Sequence, residues 1–454
     1  MAYDIEVEGI YYDFYGSDAS VVGVNSTYFS GTNSTDVIIP ERISNNDNIY
    51  PVTSINSEAF KNVSWMTSIT IPNTITSMGE KAFYGCSNLT NVNISDIAAW
   101  CKIDFHFLVN DYRNYSIDGD SGSDFYYGGN PLREAHHLYM NGEEIVNLVI
   151  PETVDSISFG AFYDCRGIRS VDTGSGVTYI AAEAFHIESY YEYGEYIKGN
   201  LEELTIGENV KQMGSSYGYW YGKWEQWLYA GALPSHVERV TYKATSCEDV
   251  GFYSYWGGGQ LTSFDEIIID EGVKVLPVVF SYNNNDLKII YYNAKNCICN
   301  YSPYPFANCS NLNQIVIGSN VESIGDYMFY NQGYQLNLDT IICYATVPPV
   351  ITINCFSETI YDRAILYVPE NSLQAYRNAD GWDEFWRIVA MKESITPGDI
   401  NGDGGVTIAD VTVLIDLLLS GTGDSNPVAD IDGDGSLTIA DATSLIDYLL
   451  KGSW

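Results

Sequence analysis

Ser68-Ile69-Thr70-Ile71-Pro72, followed by Ile75, Met78-Gly79, Ala82-Phe83, Cys86, Leu89, Val92 and Ile94, is the stretch whose reading decides the fold. The same order returns at Leu148-Val149-Ile150-Pro151, Val154, Ile157, Ala161-Phe162, Cys165 and Ile168, and again at Cys309, Leu312, Ile315, Ile317, Val321, Ile324 and Phe329. The phase is counted on the phenylalanines: Phe60 to Phe83, Phe162 to Phe185 and Phe306 to Phe329 are each 23 residues apart, with looser steps to Phe280 and Phe356. A fixed period of this size signals stacked supersecondary units. The alternating x-Ile-x-Ile pieces supply short strands, and a turn or 3₁₀ segment is expected on the opposite side of each unit. One unit cannot bury its own apolar face, so the core comes from stacking.

Working outward, the chain has 454 residues, with 59 acidic against 21 basic side chains and a net charge of −38. A nucleic-acid binder needs Lys and Arg to neutralise phosphates, so that class is excluded. The charge opposes anionic membrane surfaces, and no apolar stretch approaches the roughly 18 residues of a spanning helix. The 46% hydrophobic and 14% aromatic content is enough for a large core in a soluble protein. Nine cysteines cannot all pair within the chain, and five histidines leave few candidates for a His-built centre. Met1-Ala2-Tyr3-Asp4-Ile5-Glu6 has neither a basic nor an apolar leader region, so the chain is expected to be intracellular or to lack a leader already removed.

The repeat residues resemble the BspA-like leucine-rich repeats, a family of secreted or surface proteins, over roughly residues 1 to 391. Ile97-Ala98-Ala99-Trp100-Cys101, with Ala135-His136-His137-Leu138-Tyr139 and Asn141-Gly142, is similar to the family's non-repeat insertion. Leu366-Tyr367-Val368-Pro369, Ser372-Leu373, Ala375-Tyr376 and Gly381-Trp382 resemble its closing unit, and Tyr3-Asp4-Ile5 to Val37-Ile38-Ile39-Pro40 its amino-terminal cap. The fold implied is a β-rich leucine-rich-repeat solenoid of 23-residue repeats with insertions and caps, the cap over 1–50 and the repeats over 51–391. The array departs from an ideal repeat near 104–135 and 186–260, both rich in Tyr, Gly, Ser and Asp. Insertions of this kind fall on one face, often the binding face.

Beyond Thr396-Pro397-Gly398 the composition changes. Asp399-Ile400-Asn401-Gly402-Asp403-Gly404-Gly405-Val406-Thr407-Ile408-Ala409-Asp410 matches Asp430-Ile431-Asp432-Gly433-Asp434-Gly435-Ser436-Leu437-Thr438-Ile439-Ala440-Asp441 at an offset of 31. Oxygen-bearing side chains at the first, third and fifth places, Gly at the sixth and a carboxylate at the twelfth form an EF-hand-type loop. Calcium is a hard cation that takes six to eight oxygens, so Asp399, Asn401, Asp403, Gly405 (by its carbonyl), Thr407 and Asp410 form one candidate shell. Asp430, Asp432, Asp434, Ser436, Thr438 and Asp441 form the second, giving two ions. Each loop runs into an amphipathic helix: Val411, Leu414, Ile415 and Leu418 in one, Ala442, Leu445, Ile446 and Leu449 in the other. Pro397 and Pro427 read as turn, so no helix enters either loop directly.

Tandem loop-helix units without entering helices resemble a dockerin, here a small all-α calcium-binding domain over 394–454. The resemblance implies calcium-dependent folding and docking to a cohesin domain on a scaffoldin or surface anchor. The positions that would read the partner are Ile408, Ala409, Ile415 and Asp416, matched by Ile439, Ala440, Ile446 and Asp447. Well-known cellulosomal dockerins often carry a Ser-Thr pair and basic residues there, so the cohesin type does not carry over. Close agreement of the copies makes a two-fold docking mode physically available. The alternative is a calcium-stabilised folding element with no partner.

No zinc-protease, nucleophile-elbow or phosphate-loop motif is present. Gly174-Ser175-Gly176 lacks the elbow spacing and reads as a turn, and acidic pairs among so many carboxylates carry no information. His136-His137, adjacent on a strand, would point to opposite faces and are poorly placed for joint ligation. Cys86, Cys165 and Cys309 each follow their repeat's Phe by three and read as buried thiols. Cys297-Ile298-Cys299 with Cys309 lacks paired zinc spacing. Tyr219, Trp220, Trp224 and Trp227 crowd one loop, and Tyr255 and Trp256 the next. Their rings suit a protein or glycan target, the alternative being a satellite core beneath the insertion.

The expected function is a non-catalytic secreted or cell-surface binding protein. Its solenoid recognises a target, and its tail docks it to a cohesin in a cellulosome-like or surface assembly. The alternatives are a hydrolase (O-glycosyl) subunit of a polysaccharide-degrading complex, and an adhesin whose tail only stabilises. An extracellular or surface location follows from the resemblance and from calcium availability, without nucleic-acid binding or membrane insertion.

Overall fold

The computed structural model describes residues 3–106, 129–187, 190–192, 195–197, 200–217, 228–230, 232–245, 247, 253–254, 259–260, 262–276, 284–299, 304–306, 308–330, 338–391, 398, 400, 406–420, 429, 431 and 437–451. Short parallel strands stack one unit on the next. Asp36–Ile38, Ser68–Ile71, Asn91–Ile94 and Leu138–Met140 lie side by side in one sheet, which Glu143–Glu144 closes antiparallel. A ten-stranded parallel sheet runs from Asn147–Val149 through Ser170–Asp172, Asn200–Ile206, His236–Tyr242, Ser263–Ile269, Ile289–Tyr292, Gln314–Ile317, Thr340–Cys343 and Ile365–Pro369 to Arg387–Met391. Alternate residues of each strand face inward: in Gln314–Ile317, Ile315 and Ile317 are buried, while Gln314 and Val316 are partly exposed.

The opposite side carries more order than the turns expected there. Two three-stranded parallel sheets form, one from Ser156–Ile157, Tyr179–Ile180 and Gln212–Met213, the other from Val275–Leu276, Asn296–Cys299 and Ser323–Ile324. Phenylalanines of neighbouring units stack on one another. Phe60 and Phe83 lie 5.0 Å apart at 6°, Phe162 and Phe185 5.4 Å apart at 7°, and Phe329 sits between Phe306 at 5.9 Å and Phe356 at 5.4 Å. The counted period is thus seen as stacked rings in two pairs and one row of three. Phe280 lies outside the described residues.

The ladder continues through much of the expected 186–260 insertion. Ser170 pairs with Glu203, Glu203 with Arg239 and Arg239 with Glu266, so the steps lengthen to 33, 36 and 27 residues without interrupting the sheet. Leu201, Leu204 and Ile206, then Val237, Val240 and Tyr242, supply the core in those rungs. The extra residues therefore lie between rungs of a continuous array. At the first departure the step is a true jump: Val92 pairs with Leu138, and the helix Leu132–Ala135 lies just before the new strand.

Both ends are closed. Ile5–Val7, Ile10–Tyr15 and Asp18–Val24 form an antiparallel meander, and the last of these pairs parallel with Asn48–Ile55. That strand in turn pairs with Ser77–Met78 of the first repeats. At the other end Trp382 is fully buried and its indole N–H donates to the Pro349 carbonyl at 2.7 Å. Tyr376 donates to the Ala345 carbonyl at 2.8 Å, and Phe385 packs against Phe356. One continuous apolar cluster runs from Ile10 to Phe385. Such caps cover apolar layers that a bare solenoid end would expose.

All nine cysteines are free thiols, buried except for Cys299, which is partly exposed. Cys86 donates to the Phe60 carbonyl at 3.1 Å, and Cys299 to the Asp326 carbonyl at 2.8 Å. Burial pushes the thiols of Cys86, Cys101, Cys165 and Cys297 up to about 12 from an ordinary 9.0. Burial likewise raises the phenols of Tyr12 and Tyr242. The folded state therefore holds protons that the unfolded chain has lost, so stability is full below about pH 9 and declines as pH rises toward about 12. The solenoid Tm is expected to be flat from about pH 6 to 8 and to fall steadily above about pH 9, with Cys299 alkylated before the buried thiols. A pH series of thermal melts with mass mapping of iodoacetamide adducts checks both, and a Tm unchanged at about pH 10.5 would contradict the linkage.

Candidate calcium and partner-docking site

Two helices, Ile408–Ser420 and Ile439–Lys451, each begin directly after a threonine. Thr407 Oγ1 accepts from the Ala409 N–H at 3.2 Å, and Thr438 Oγ1 from the Ala440 N–H at 3.1 Å. In return Asp410 Oδ2 accepts from the Thr407 N–H at 2.8 Å, and Asp441 Oδ2 from the Thr438 N–H at 2.7 Å. This is a reciprocal capping box, which satisfies helix-end donors that would otherwise have no partner. The same carboxylates reach the start of each loop. Asp410 Oδ1 accepts from the Ile400 N–H at 2.8 Å, and Asp441 Oδ1 from the Ile431 N–H at 2.7 Å. Both side chains are fully buried.

The twelfth residue of each loop thus caps its helix and tethers the start of its loop, a role separate from the ligand role expected from the spacing. The capping role was legible as Thr-x-x-Asp immediately before an apolar run. Of the proposed calcium residues, Thr407, Asp410, Thr438 and Asp441 are described; Asp399, Asn401, Asp403, Gly405, Asp430, Asp432, Asp434 and Ser436 lie outside the described residues. The donor set fits calcium. It is built of carboxylate, amide, hydroxyl and carbonyl oxygens, and each set ends in a buried carboxylate already oriented by two backbone donors.

The helices pack on each other through Val411, Leu414, Ala429, Ala442 and Leu445, with Ile400, Leu418, Ile431 and Leu449 against them. This corrects the sequence reading of the helix faces. Ile415 and Ile446, placed there on the apolar stripe, are 40% and 39% exposed. Leu417 takes part in the packing, so the buried stripe is rotated by one position relative to that reading. The partner-reading positions are all accessible: Ile408 and Ile439 are 71% and 76% exposed, and Ala409, Asp416, Ala440 and Asp447 are exposed as well. Leu419 and Leu450, at 81% and 79%, were missed. Ile408, Ile415 and Leu419 follow one another at i, i+7 and i+11, which a helix places on one face. Ile439, Ile446 and Leu450 repeat that face.

Elsewhere the structure sorts the remaining candidates. Tyr219, Trp220, Trp224, Trp227, Tyr255 and Trp256 lie outside the described residues. His136 and His137 do not share a strand. His136 ends the helix Leu132–Ala135 in a left-handed conformation, and its ring lies 3.1 Å from buried Asp164, while His137 bonds Glu144 at 2.6 Å. They serve different partners, and Arg166 also grips Asp164 at 2.8 Å. Gly174-Ser175-Gly176 is a turn. Among the described residues no cluster of His, Cys, Asp and Glu could hold a metal, and no helix is long and apolar enough to cross a membrane.

Comparison with known families agrees with this architecture. Residues 23–104, 135–217 and 245–361 match the BspA type Leucine rich repeat region in six copies, and 397–450 match the Dockerin type I domain. The chain belongs to the BspA type leucine-rich repeat family and carries a dockerin behind its repeats. Among solved structures it is similar to a leucine-rich repeat protein from Bacteroides ovatus, at 17% identity over 86% of this chain and 100% of that one, with a TM-score of 0.35. A leucine rich cell surface protein from Faecalibacterium prausnitzii is 16% identical over 88% and 98%, with a TM-score of 0.33. The pneumococcal vaccine antigen PcpA is 16% identical over 86% and 98%, with a TM-score of 0.29. No curated protein matches the chain. Dockerin type I domains bind calcium and dock to cohesins, so this is a protein-interaction molecule, and neither matched domain is catalytic.

Proposed function

We propose that the chain is a non-catalytic secreted or cell-surface adaptor whose solenoid, over 1–391, recognises a protein or glycan target. Its tail, over 394–454, plugs that cargo into a cohesin on a scaffoldin or surface anchor, in a cellulosome-like or surface assembly. Two calcium ions, one per loop, would be held by Asp399, Asn401, Asp403, Gly405, Thr407 and Asp410 and by Asp430, Asp432, Asp434, Ser436, Thr438 and Asp441. A bound cation would neutralise the converging carboxylates and lock each loop onto its helix.

The observation that carries this reading is the pair of matching exposed faces, Ile408 with Ile415 and Ile439 with Ile446. Isolated exposed apolar residues need no explanation, but two equivalent stripes on a small domain do. Their chemistry favours a cohesin with an apolar contact face over one that reads hydroxyls and basic side chains.

Equivalent stripes offer two docking orientations. Removing one leaves the other intact, so Ile408→Asp alone is expected to weaken docking only about two-fold, the loss of one of two equal states. The same holds for Ile439→Asp. The double substitution buries a charge in either orientation and is expected to cost about 2 kcal/mol or more, roughly 30-fold. Titration of each variant against a panel of immobilised cohesin domains in calcium tests this. Undiminished binding by the double variant would sink the assignment of these faces, and a full loss from one single variant would sink the two-orientation mode.

A further inference from the structure

The solvent face of the ten-stranded sheet changes character along its length. One outward row runs in register across the strands. It is polar at its early rungs, Asp172, Thr205 and Thr241, and then apolar for six rungs in succession: Ile268, Tyr291, Val316, Ile342, Tyr367 and Val389. All six are partly exposed, while their inward neighbours such as Ile290, Ile315 and Ile341 are buried. Strand propensity does not demand this, since Thr serves it equally at 205 and 241. Beside the polar rungs, and reaching as far as the first apolar one, a cavity of about 340 Å³ opens, lined by Asn147, Ser170, Arg239 and the carboxylates Glu202, Glu203, Glu238, Asp265 and Glu266. Arg239 pairs with Glu203 and Glu266, Arg169 with Glu202, and Lys288 with Asp265. Five carboxylates thus face three permanent cations and the ring of His236, 3.7 Å from Asp265, and Glu238 has no basic partner among the described residues.

We propose that this sheet face is the solenoid's target-docking surface and that its occupant is an extended protein segment, basic at one end and apolar along the rest. The proposal rests on the reading of the solenoid as the target-recognising part and narrows its target to protein. Charge complementarity names the basic end: the acidic cavity and the net charge of −38 both repel an acidic partner and speed encounter with a cationic one. The apolar row names the remainder. Rungs lie about 4.8 Å apart, so six of them span about 24 Å, the reach of some seven or eight extended residues. Sugars stack on broad aromatic faces, whereas here aliphatic side chains separate Tyr291 from Tyr367, a surface that suits aliphatic side chains of a peptide.

The test uses the full chain in calcium and fluorescent peptides carrying a run of lysines followed by alternating valine and threonine. A charge-reversed peptide and an all-polar peptide serve as comparisons. Saturable binding of the lysine-led peptide is expected, weakened about ten-fold or more by Glu238→Lys, by Ile342→Lys and by either change to the peptide. Hydrogen exchange of the unaltered chain should show protection of Ser263–Ile269, Ile289–Tyr292 and Gln314–Ile317 on binding, independent of any variant's fold. No saturable binding at about 1 mM peptide, equal binding of the charge-reversed peptide, or protection elsewhere would overturn the proposal. Calcium-dependent cohesin docking, read on the same samples, separates this result from the broader reading: its loss in the unaltered chain counts against the adaptor function, and its retention confines a failure to the sheet face.

Discussion

Chelating calcium is expected to unfold residues 398–451 while leaving the solenoid folded, and to lower cohesin docking by about a thousand-fold or more. The small domain has few other supports. Its core is Val411, Leu414, Ala429, Ala442 and Leu445 with a rim of partly buried neighbours. A domain of about 60 residues buries too little apolar surface to be more than marginally stable. An ion with a Kd of about 1 to 10 µM, at about 1 mM calcium, contributes about 3–4 kcal/mol, so two contribute about 6–8. Removing that exceeds what such a core holds in reserve. The solenoid's apolar cluster is separate from that core, so its amides should be insensitive to the metal. Hydrogen exchange with and without chelator reads both parts at once. Protection of Ile408–Ser420 that survives chelation would show that the capping boxes and helix packing suffice without metal.

Phe329→Ala is expected to destabilise the solenoid by about 3–5 kcal/mol, whereas Tyr330→Ala should cost less than about 1. Phe329 is 4% exposed, lies between the rings of Phe306 and Phe356, and meets the edge of Tyr292 at 5.5 Å. Truncation opens a cavity between two units, and in a nearest-neighbour array that weakens both interfaces at once. Tyr330, one residue on, is only half-buried among the turn tyrosines. Denaturant melts followed by near-UV circular dichroism compare the two. Equal costs would mean that the row of rings is not what holds the stack.

The ring stacking was legible because the period survives wherever the units keep their length: Phe60 stacks on Phe83, and Phe162 on Phe185, as their spacing requires. The strands within 186–260 were not legible, for two physical reasons. Steps of 33 and 36 residues destroy a fixed period. Their core residues are also spaced three and then two, as in Leu201, Leu204 and Ile206, because Glu202 and Glu203 both face out, and this hides the alternation that marks a strand. In the tail, loop spacing revealed the helices and their partner-reading positions. Periodicity set Ile415 and Ile446 on the apolar stripe while loop spacing set them among the partner-reading positions, and they are exposed because an i+4 neighbour suits either edge of a stripe until the opposing helix fixes its centre.

The measurement that tests the adaptor reading most directly is affinity capture from the producer's secreted and surface fraction. The bait is the intact chain in calcium, the intact chain in chelator, and the variant Asp399→Ala with Asp430→Ala. The account predicts a cohesin-bearing protein retained only by the intact chain in calcium. A cohesin retained equally by all three baits, or no calcium-dependent partner at all, would contradict it and leave the tail as an element of stability.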